Sequence, residues 1–312
     1  MDIMISRYFI LLLLMSFSFG QDIIGEGLHG EELIDFLRDN YKTSTTLGYT
    51  NARDTLYLRI DRIEGQVRGV YTNYAVELPA TDVDPSTHLY ENGMNCEHVW
   101  PQSLYEGGEP MKSDMHALRP CKDNVNSSRG NKPFNEVGDS QATTWYWLDA
   151  QTSSIPSSNI DEYSENHGAY FEPREDRKGD VARTIFYFYT MYSEVSDESF
   201  FHNQKEVLKT WNEQDITDED EITRTWQIAS YQQNKPNPFI LDGTLIERAY
   251  FYDEGEGLLG DINTDGVLNV LDIVALVNII LNEGNFNSSG DLNNDGNNNI
   301  LDVVSLTNII LT

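Results

Sequence analysis

Apolar residues concentrate in four stretches of the chain, and their lengths predict helices rather than membrane spans. A first run occupies residues 8–19, an aromatic run is interrupted by Arg183, and two aliphatic runs fill residues 271–281 and 301–311. A membrane-spanning helix needs about 20 consecutive apolar residues. The first run has only twelve residues, and Asp272 interrupts the first aliphatic run. We therefore expect no membrane span after the N-terminal segment is removed.

The first apolar run has the features of a secretory signal peptide. Arg7 precedes the run, and the small residues Ser18 and Gly20 stand at positions −3 and −1 of a cut before Gln21. A positive charge, a short apolar core and small residues at the cleavage site are typical of an export signal. Residues 1–20 are therefore predicted to direct the protein to a secreted, periplasmic or cell-surface location. The alternative is a short buried helix at the N-terminus.

Residues 95–134 contain the pattern of a small strand–loop–strand–helix unit. It predicts a short strand that ends near Pro101, a glycine-containing loop, a second strand over residues 115–119, and a helix bounded by Pro120 and Pro133. Helical and strand periodicity put two sets of side chains on common faces. These sets are Lys122, Asn126 and Arg129 on the helix, and Asp114, His116 and Leu118 on the second strand.

A sequence repeat occupies the C-terminal end. Residues 260–266 recur thirty positions later as residues 290–296, and an aliphatic helix follows each copy. Oxygen-bearing residues at loop positions 1, 3, 5 and 12, glycine at position 6 and a backbone carbonyl at position 7 fit a calcium loop. The predicted ligands are Asp261, Asn263, Asp265, Val267 and Asp272 in the first loop, and Asp291, Asn293, Asp295, Asn297 and Asp302 in the second. Two solvated acidic turns are the alternative.

The composition excludes several protein classes. The 51 acidic residues outnumber the 21 basic ones, for a net charge of −30, so a polybasic DNA-coating protein is excluded. With 39% apolar residues the chain can bury a core, and two cysteines are too few for a disulfide scaffold. Between His98 and Pro133, however, the sequence contains five basic and four acidic residues, so this segment is nearly neutral. A polyanion could approach at this near-neutral island.

The same region contains the groups that phosphodiester hydrolysis requires. The reaction needs a base to deprotonate water, a cation to stabilise charge on oxygen, and a donor for the phosphate. Histidine is mostly neutral at pH 7 and suits the first role. One carboxylate and one amide oxygen can hold a hard ion such as Mg²⁺ and still leave sites for water and phosphate. Arginine suits the third role.

At these residues the chain resembles the endonuclease I family, secreted or periplasmic nucleases of the ββα-metal (His-Me finger) class. The resemblance covers about residues 22–252. It rests on four ordered motifs: Glu97-His98-Val99; residues 114–120; Val125-Asn126 followed by Arg129 and Asn131; and residues 179–183 with 234–239. It implies an α+β catalytic domain with a ββα-metal finger at its cleft.

The resemblance also implies residue roles. His98 is expected to be the general base, and Glu97 and Asn126 the ligands of Mg²⁺ or another divalent cation such as Ca²⁺. Family members cut DNA, and often RNA, without much sequence preference and leave 5′-phosphates. Arg119 and Arg129 are the candidates for the phosphate contact. Adjacent residues of a regular strand point to opposite faces, so the backbone at Glu97 and His98 must bend or end there.

The C-terminal repeat resembles a type I dockerin, which implies a small all-α domain with two Ca²⁺ ions. Dockerins bind a cohesin partner around loop positions 10 and 11. Here these positions are Val270-Leu271 and Ile300-Leu301, bulky aliphatics in place of the usual small hydroxyl residues. The resemblance implies a cohesin-like or cell-surface partner, although these two positions depart from the pattern usual in cellulosomes. The predicted domains are a signal peptide (1–20), a catalytic domain (21–252), a linker (253–259) and the dockerin-like domain (260–312).

The two cysteines, His116 and the functional class each allow a second interpretation. Cys96 and Cys121 flank the finger and are expected to form a disulfide after export, although free thiols are the alternative. A zinc site made from Cys96, His98, His116 and Cys121 would suit a zinc hydrolase. His116 is equally compatible with a structural and a catalytic role. The competing functional class is a catalytically inactive, calcium-binding scaffold protein that uses its C-terminal repeat for attachment.

Overall fold

The computed structural model describes residues 23–252, 258–281 and 286–311. The signal-peptide prediction concerns residues 1–20 and lies outside these ranges, as do residues 253–257 of the predicted linker. Within the described ranges no helix is both long and apolar enough to cross a bilayer. Helices and short sheets are mixed along residues 23–252, which confirms the α+β expectation.

Residues 23–252 contain ten α-helices. They are α1 (Gly30–Tyr41), α2 (Tyr49–Thr55), α3 (Pro85–Glu91), α4 (Asp123–Arg129), α5 (Lys178–Tyr192), α6 (Glu198–His202), α7 (Lys205–Gln214), α8 (Glu219–Ala229), α9 (Pro238–Leu241) and α10 (Leu245–Tyr250). One π-helical turn, Leu56–Ile60, continues directly from α2.

Nine short strands form three antiparallel sheets. They are β1 (Arg62–Ile63), β2 (Gln66–Arg68), β3 (Ala75–Glu77), β4 (Met94–His98), β5 (Leu118–Lys122), β6 (Thr144–Trp147), β7 (Ala150–Thr152), β8 (Ser164–Asn166) and β9 (Phe171–Glu172). The sheet orders are β1-β2-β3, β4-β5 and β7-β6-β8-β9.

Helix α5 is the centre of the larger hydrophobic core. Fourteen of its fifteen residues are buried, because apolar and aromatic residues surround the helix on nearly all sides. At its N-terminus Gly179 leaves no room for a side chain, since an added Cβ would lie 2.1 Å from the backbone oxygen of Asp215. One turn later, Arg183 forms a buried ion pair with Glu221 of α8. Helices α5 and α8 are thereby fixed to each other behind the β4–β5 pair.

The predicted second strand of the finger is displaced in the structure. Residues Met115–Ala117 form a 3₁₀ turn, and the strand β5 begins only at Leu118. The side chain of Asp114 accepts a hydrogen bond from the backbone N–H of His116 at 3.0 Å, and such local bonds compete with strand pairing. The prediction that Asp114, His116 and Leu118 share a strand face is therefore wrong. The helix predicted between the two prolines is confirmed as α4.

The C-terminal repeat forms two loop–helix units. The helices are α11 (Val270–Leu281) and α12 (Ile300–Leu311). Each presents one central leucine, Leu276 or Leu306, to a small core that Ile262 completes. The glycine at loop position 6 has a positive φ in both copies, +79° at Gly266 and +82° at Gly296, a conformation that glycine adopts without strain.

Candidate active site at the strand–helix corner

The strand β4, its partner β5 and the helix α4 form an antiparallel pair followed at once by a helix. In the register of the pair, Glu97 stands opposite Arg119 and His98 opposite Leu118. Helix α4 begins directly after β5 and ends at Gly130, whose φ of +55° stops the helix. The helix contacts β4, since Asn126 bonds to residues 95 and 96 of that strand. Residues 97, 98 and 126 therefore lie in one corner of the fold.

Glu97 is held by Tyr71, which was not identified from the sequence, and by Arg129, which was expected to contact phosphate instead. Its carboxylate is 2% exposed, the Tyr71 hydroxyl donates to Oε1 at 2.7 Å, and Nη1 of Arg129 lies 3.2 Å from the same oxygen. Burial raises the pKa of Glu97, while the Arg129 charge and the Tyr71 hydrogen bond act in the opposite direction. Among the described residues, none donates a hydrogen bond to the second oxygen, Oε2.

Asn126 is oriented by the strand that it packs on. Its Nδ2 donates to Oδ1 of Asn95 at 2.8 Å and to the backbone oxygen of Cys96 at 3.1 Å. A backbone carbonyl can only accept, so the amide nitrogen must face it and Oδ1 must face away. The Cys96 carbonyl is part of the peptide bond between Cys96 and Glu97. The amide oxygen of Asn126 accepts no hydrogen bond from a described residue, and the side chain lies against the residue that precedes Glu97.

These two free oxygens suit a hard divalent cation. Magnesium in proteins is usually held by one or two side-chain oxygens and keeps several sites for water and phosphate. Oε2 of Glu97 and Oδ1 of Asn126 match this donor set. The structure does not bring Cys96, His98, His116 and Cys121 together as a metal-binding group. This excludes the alternative zinc site there, and it leaves the smaller carboxylate–amide pair as the candidate metal centre.

Arg129 is a structural residue of this corner rather than a phosphate contact. Its side chain is fully buried, donates to the backbone oxygens of His98 at 3.2 Å and Val99 at 2.6 Å, and lies over the Phe134 ring. A guanidinium in this position cannot reach a phosphate in solvent. The expected clamping role of Arg129 therefore does not fit the structure. The residue fixes the end of β4 and neutralises Glu97.

The side chain of His98, the last residue of β4, has a different set of partners from that of Glu97. Its Nε2 lies 3.0 Å from the backbone oxygen of Lys112, and Nδ1 lies 3.0 Å from the side-chain nitrogen of Gln102. Since the carbonyl can only accept, Nε2 carries the proton and Nδ1 carries the lone pair. Burial lowers the pKa of His98 to about 4. The imidazole is therefore neutral near pH 7 and offers one basic nitrogen, which is covered only by the exposed side chain of Gln102.

The predicted disulfide between Cys96 and Cys121 is wrong in this structure. Both thiols are free. In the register of the pair, Cys96 stands opposite Pro120 and Cys121 opposite Asn95, so the two cysteines lie on opposite faces of the two-stranded sheet. Cys96 packs on the core that contains Leu118, whereas Cys121 belongs to the core of α5. The same separation also excludes a zinc site that uses both sulfurs.

His116 has the bonding of a structural residue. It is 3% exposed, its Nε2 lies 2.9 Å from the backbone oxygen of Lys235, and its ring contacts Tyr187 edge-on. The adjacent Asp114 is fully buried and accepts hydrogen bonds from the hydroxyls of Tyr187 and Tyr192. This network ties the segment before β5 to α5. It favours the structural alternative for His116.

Arg119 stands opposite Glu97 across the strand pair, but the two side chains form no ion pair with each other. Its guanidinium lies 3.7 Å from Asp180, the nearest carboxylate, and it lines a large cavity beside β5. Glu97 instead pairs with Arg129. Arg119 is therefore next to Glu97 across the strand pair, and it lines this cavity.

The two C-terminal loops have the same internal bonding. Oδ2 of Asp261 accepts from the backbone N–H of Gly266 at 2.7 Å, and Oδ2 of Asp291 accepts from Gly296 at 2.8 Å. The side chain at position 12 is fully buried in each copy, as Asp272 or Asp302. It accepts from two backbone N–H groups at positions 2 and 3 of its loop. Both loops are therefore closed around inward-facing carboxylates.

Comparison with known proteins is consistent with this two-part organisation. The sequence model of the family described as Endonuclease I matches residues 30–243, and that of the Dockerin type I domain matches residues 259–311. The extracellular ribonuclease of Bacillus subtilis (strain 168) is 34% identical over 161 residues, 47% of this chain and 50% of that protein. The extracellular ribonuclease of Bacillus amyloliquefaciens is 31% identical over 211 residues, 57% of this chain and 67% of that protein. The chain thus spans about half the length of the first relative.

Proposed function

The chain belongs to the endonuclease I family and carries a dockerin type I domain, and from this membership we propose that it is an extracellular, metal-dependent endonuclease. It hydrolyses phosphodiester bonds of RNA and DNA with little sequence preference and leaves 5′-phosphates. One observation carries the proposal: Oε2 of Glu97 and Oδ1 of Asn126 are both free at the corner where His98 leaves the strand. The extracellular setting is supported by the names of the two Bacillus relatives.

The proposed mechanism assigns the proton transfer to His98. Nδ1 accepts a proton from the attacking water, and the Lys112 carbonyl holds the opposite N–H in place, so the imidazole keeps the required tautomer and orientation. The water oxygen bonds to phosphorus, the bond from phosphorus to the 3′ oxygen breaks, and the leaving 3′ oxygen takes up a proton from solvent to become a hydroxyl. A divalent cation bound by Glu97 and Asn126 would supply positive charge for the phosphoryl and leaving oxygens. Arg129 and Tyr71 hold Glu97 ready to bind it.

Cleavage assays on both nucleic acids test this function. We expect the purified chain to cut single-stranded RNA and plasmid DNA in millimolar Mg²⁺, and to lose at least about 100-fold of this rate in EDTA. Glu97→Gln and Asn126→Ala should reproduce the loss in the presence of Mg²⁺. No metal-dependent cleavage of either substrate by a folded protein would contradict the proposal and favour the scaffold alternative.

We also propose that the two C-terminal loops bind calcium. Ten residues are the candidate ligands: Asp261, Asn263, Asp265, Val267 and Asp272, and Asp291, Asn293, Asp295, Asn297 and Asp302. Buried carboxylates that face one another are costly without a cation. Chelation is therefore expected to loosen the C-terminal units first. Circular dichroism should show a partial, calcium-reversible loss of helix in EGTA, and Asp272→Asn with Asp302→Asn should abolish the calcium response. A signal that EGTA does not change would contradict the proposal.

The C-terminal helices expose a suitable surface for a protein partner. Val270 and Leu271 on α11, and Ile300 and Leu301 on α12, are each more than half exposed. Solvent-exposed aliphatic patches of this kind mark interaction surfaces. We propose that these four residues contact a cohesin-like or cell-surface partner. Their apolar character indicates a contact surface less polar than one built from small hydroxyl residues.

A further inference from the structure

A large cavity beside β5 collects arginines in an otherwise acidic protein. The cavity has a volume of about 560 Å³, and seven arginines and four carboxylates line it. One third of the 21 basic residues of the chain is thus gathered here, against fewer than a tenth of its 51 acidic residues. The cavity is therefore locally positive in a chain of net charge −30. A polyanion repelled by most of the surface is attracted to this place.

Three of these arginines have no acidic partner. Arg59, Arg62 and Arg68 form no ion pair with any described residue. Arg62 donates to the backbone oxygen of Leu78 and Arg68 to the side chain of Gln66, both neutral groups. Arg224, on the opposite wall, differs because it makes a two-point contact with Asp61. The β1–β2 side of the cavity thus presents uncompensated positive charge.

Arg119 lines the cavity, and the hydrogen-bonding capacity of its guanidinium is largely unused. Its side chain is buried, with 8% of the residue exposed, but Asp180 at 3.7 Å is its nearest carboxylate. Within the described ranges its guanidinium makes no hydrogen bond, and none of its nitrogens is sealed from solvent. Burial and the neighbouring Arg224 lower the pKa of Arg119 to about 10. A guanidinium has five N–H donors, and an anionic ligand in the cavity would accept hydrogen bonds from those that lack a partner.

The cavity adjoins the candidate metal centre. Arg119 and Glu97 are directly opposite each other in the β4–β5 pair, where Cα atoms are about 5 Å apart. Directly opposed residues of an antiparallel pair project to the same face, and here Glu97 belongs to the candidate metal centre while Arg119 lines the cavity. The cavity is thus next to the corner where the proposed cleavage takes place.

We propose that the arginine cavity binds backbone phosphates of the nucleic-acid strand that flank the cleaved bond. This subsite rests on the proposed nuclease function and explains how so acidic a protein holds a polyanion. Arg119 contacts a phosphate near the cleaved bond, and Arg59, Arg62 and Arg68 contact phosphates farther along the strand. Backbone contacts of this kind supply affinity without sequence preference.

Binding of a single strand tests the subsite directly. A fluorescein-labelled single-stranded DNA of about 20 nucleotides is titrated with the full chain in the His98→Ala background, which prevents cleavage, and anisotropy is recorded from low to moderate salt. Adding Arg59→Ala and Arg68→Ala should weaken binding about tenfold at low salt and reduce the salt slope by about 1.4, because each neutralised phosphate of a single strand contributes about 0.7. Because both side chains are exposed and have no acidic partner, the urea midpoint should not change.

The matched control removes the same charge elsewhere. Lys205→Ala with Lys209→Ala lies on α7, outside the cavity, and should change affinity and slope by less than half as much. Equal effects of the two double variants would overturn the subsite and leave only a general charge effect. Wild-type cleavage is measured separately: its absence counts against the nuclease function, whereas normal cleavage with unchanged binding by the arginine variant counts against the subsite alone.

Discussion

His98→Ala is expected to lower kcat for nucleic-acid cleavage by about 10³-fold, because it removes the base that activates water. His98 Nδ1 is the basic nitrogen at the strand–helix corner, and its tautomer is fixed by the Lys112 carbonyl. The side chain holds no phosphate in the proposed mechanism, so KM should change little. Steady-state cleavage of a fluorogenic oligonucleotide at saturating Mg²⁺ measures both constants.

His202→Ala is the matched control for this variant. His202 is half exposed on α6 and its imidazole contacts only Glu198 and aromatic rings. Its replacement should leave kcat within about twofold, since surface substitutions away from a site rarely matter. A His98→Ala protein that is folded and keeps more than a tenth of the wild-type kcat would show that another group activates the water.

Arg129→Ala is expected to destabilise the protein by about 3–5 kcal/mol, the usual cost of breaking a buried ion pair. The substitution leaves the Glu97 carboxylate buried without its cation and removes the donors to the His98 and Val99 carbonyls. Urea unfolding followed by tryptophan fluorescence gives the free energy of unfolding. Arg129→Lys keeps the charge but loses the forked geometry, so it should lie between the alanine variant and the wild type.

The same experiment separates a structural arginine from a phosphate contact. A residue that only held phosphate would lower substrate affinity and leave the free energy of unfolding unchanged. Full wild-type stability of Arg129→Ala together with a raised KM would therefore contradict the assignment made from the structure.

Local features of the site were predictable from the sequence, because they depend on short spacings. The strand that ends at Glu97 and His98, and the helix that carries Asn126, follow from periodicity and from the flanking prolines. The two C-terminal loops, which we propose to bind calcium, are equally local, since all candidate ligands of one loop lie within twelve residues. The second strand was misplaced because one side chain, Asp114, caps a turn by a hydrogen bond that periodicity does not detect.

The partners of these residues were not predictable, because tertiary packing brings them together. Tyr71 is 26 residues from Glu97 in sequence, and nothing nearby marks it as a hydrogen-bond donor to a carboxylate. The arginine cavity combines residues from β1, β2, β5, α8 and the turn before α5. Sequence composition indicated only a near-neutral segment around Arg119. The disulfide prediction failed for the same reason, since it depended on a strand register that the sequence does not specify.

The central claim is that Glu97 and Asn126 hold one divalent cation beside His98. Crystals soaked in Mn²⁺ and measured at the manganese absorption edge test it most directly. We predict an anomalous peak within about 2.5 Å of both Oε2 of Glu97 and Oδ1 of Asn126, with water at the remaining positions. Peaks confined to the two C-terminal loops, with these two oxygens on separate waters, would contradict it.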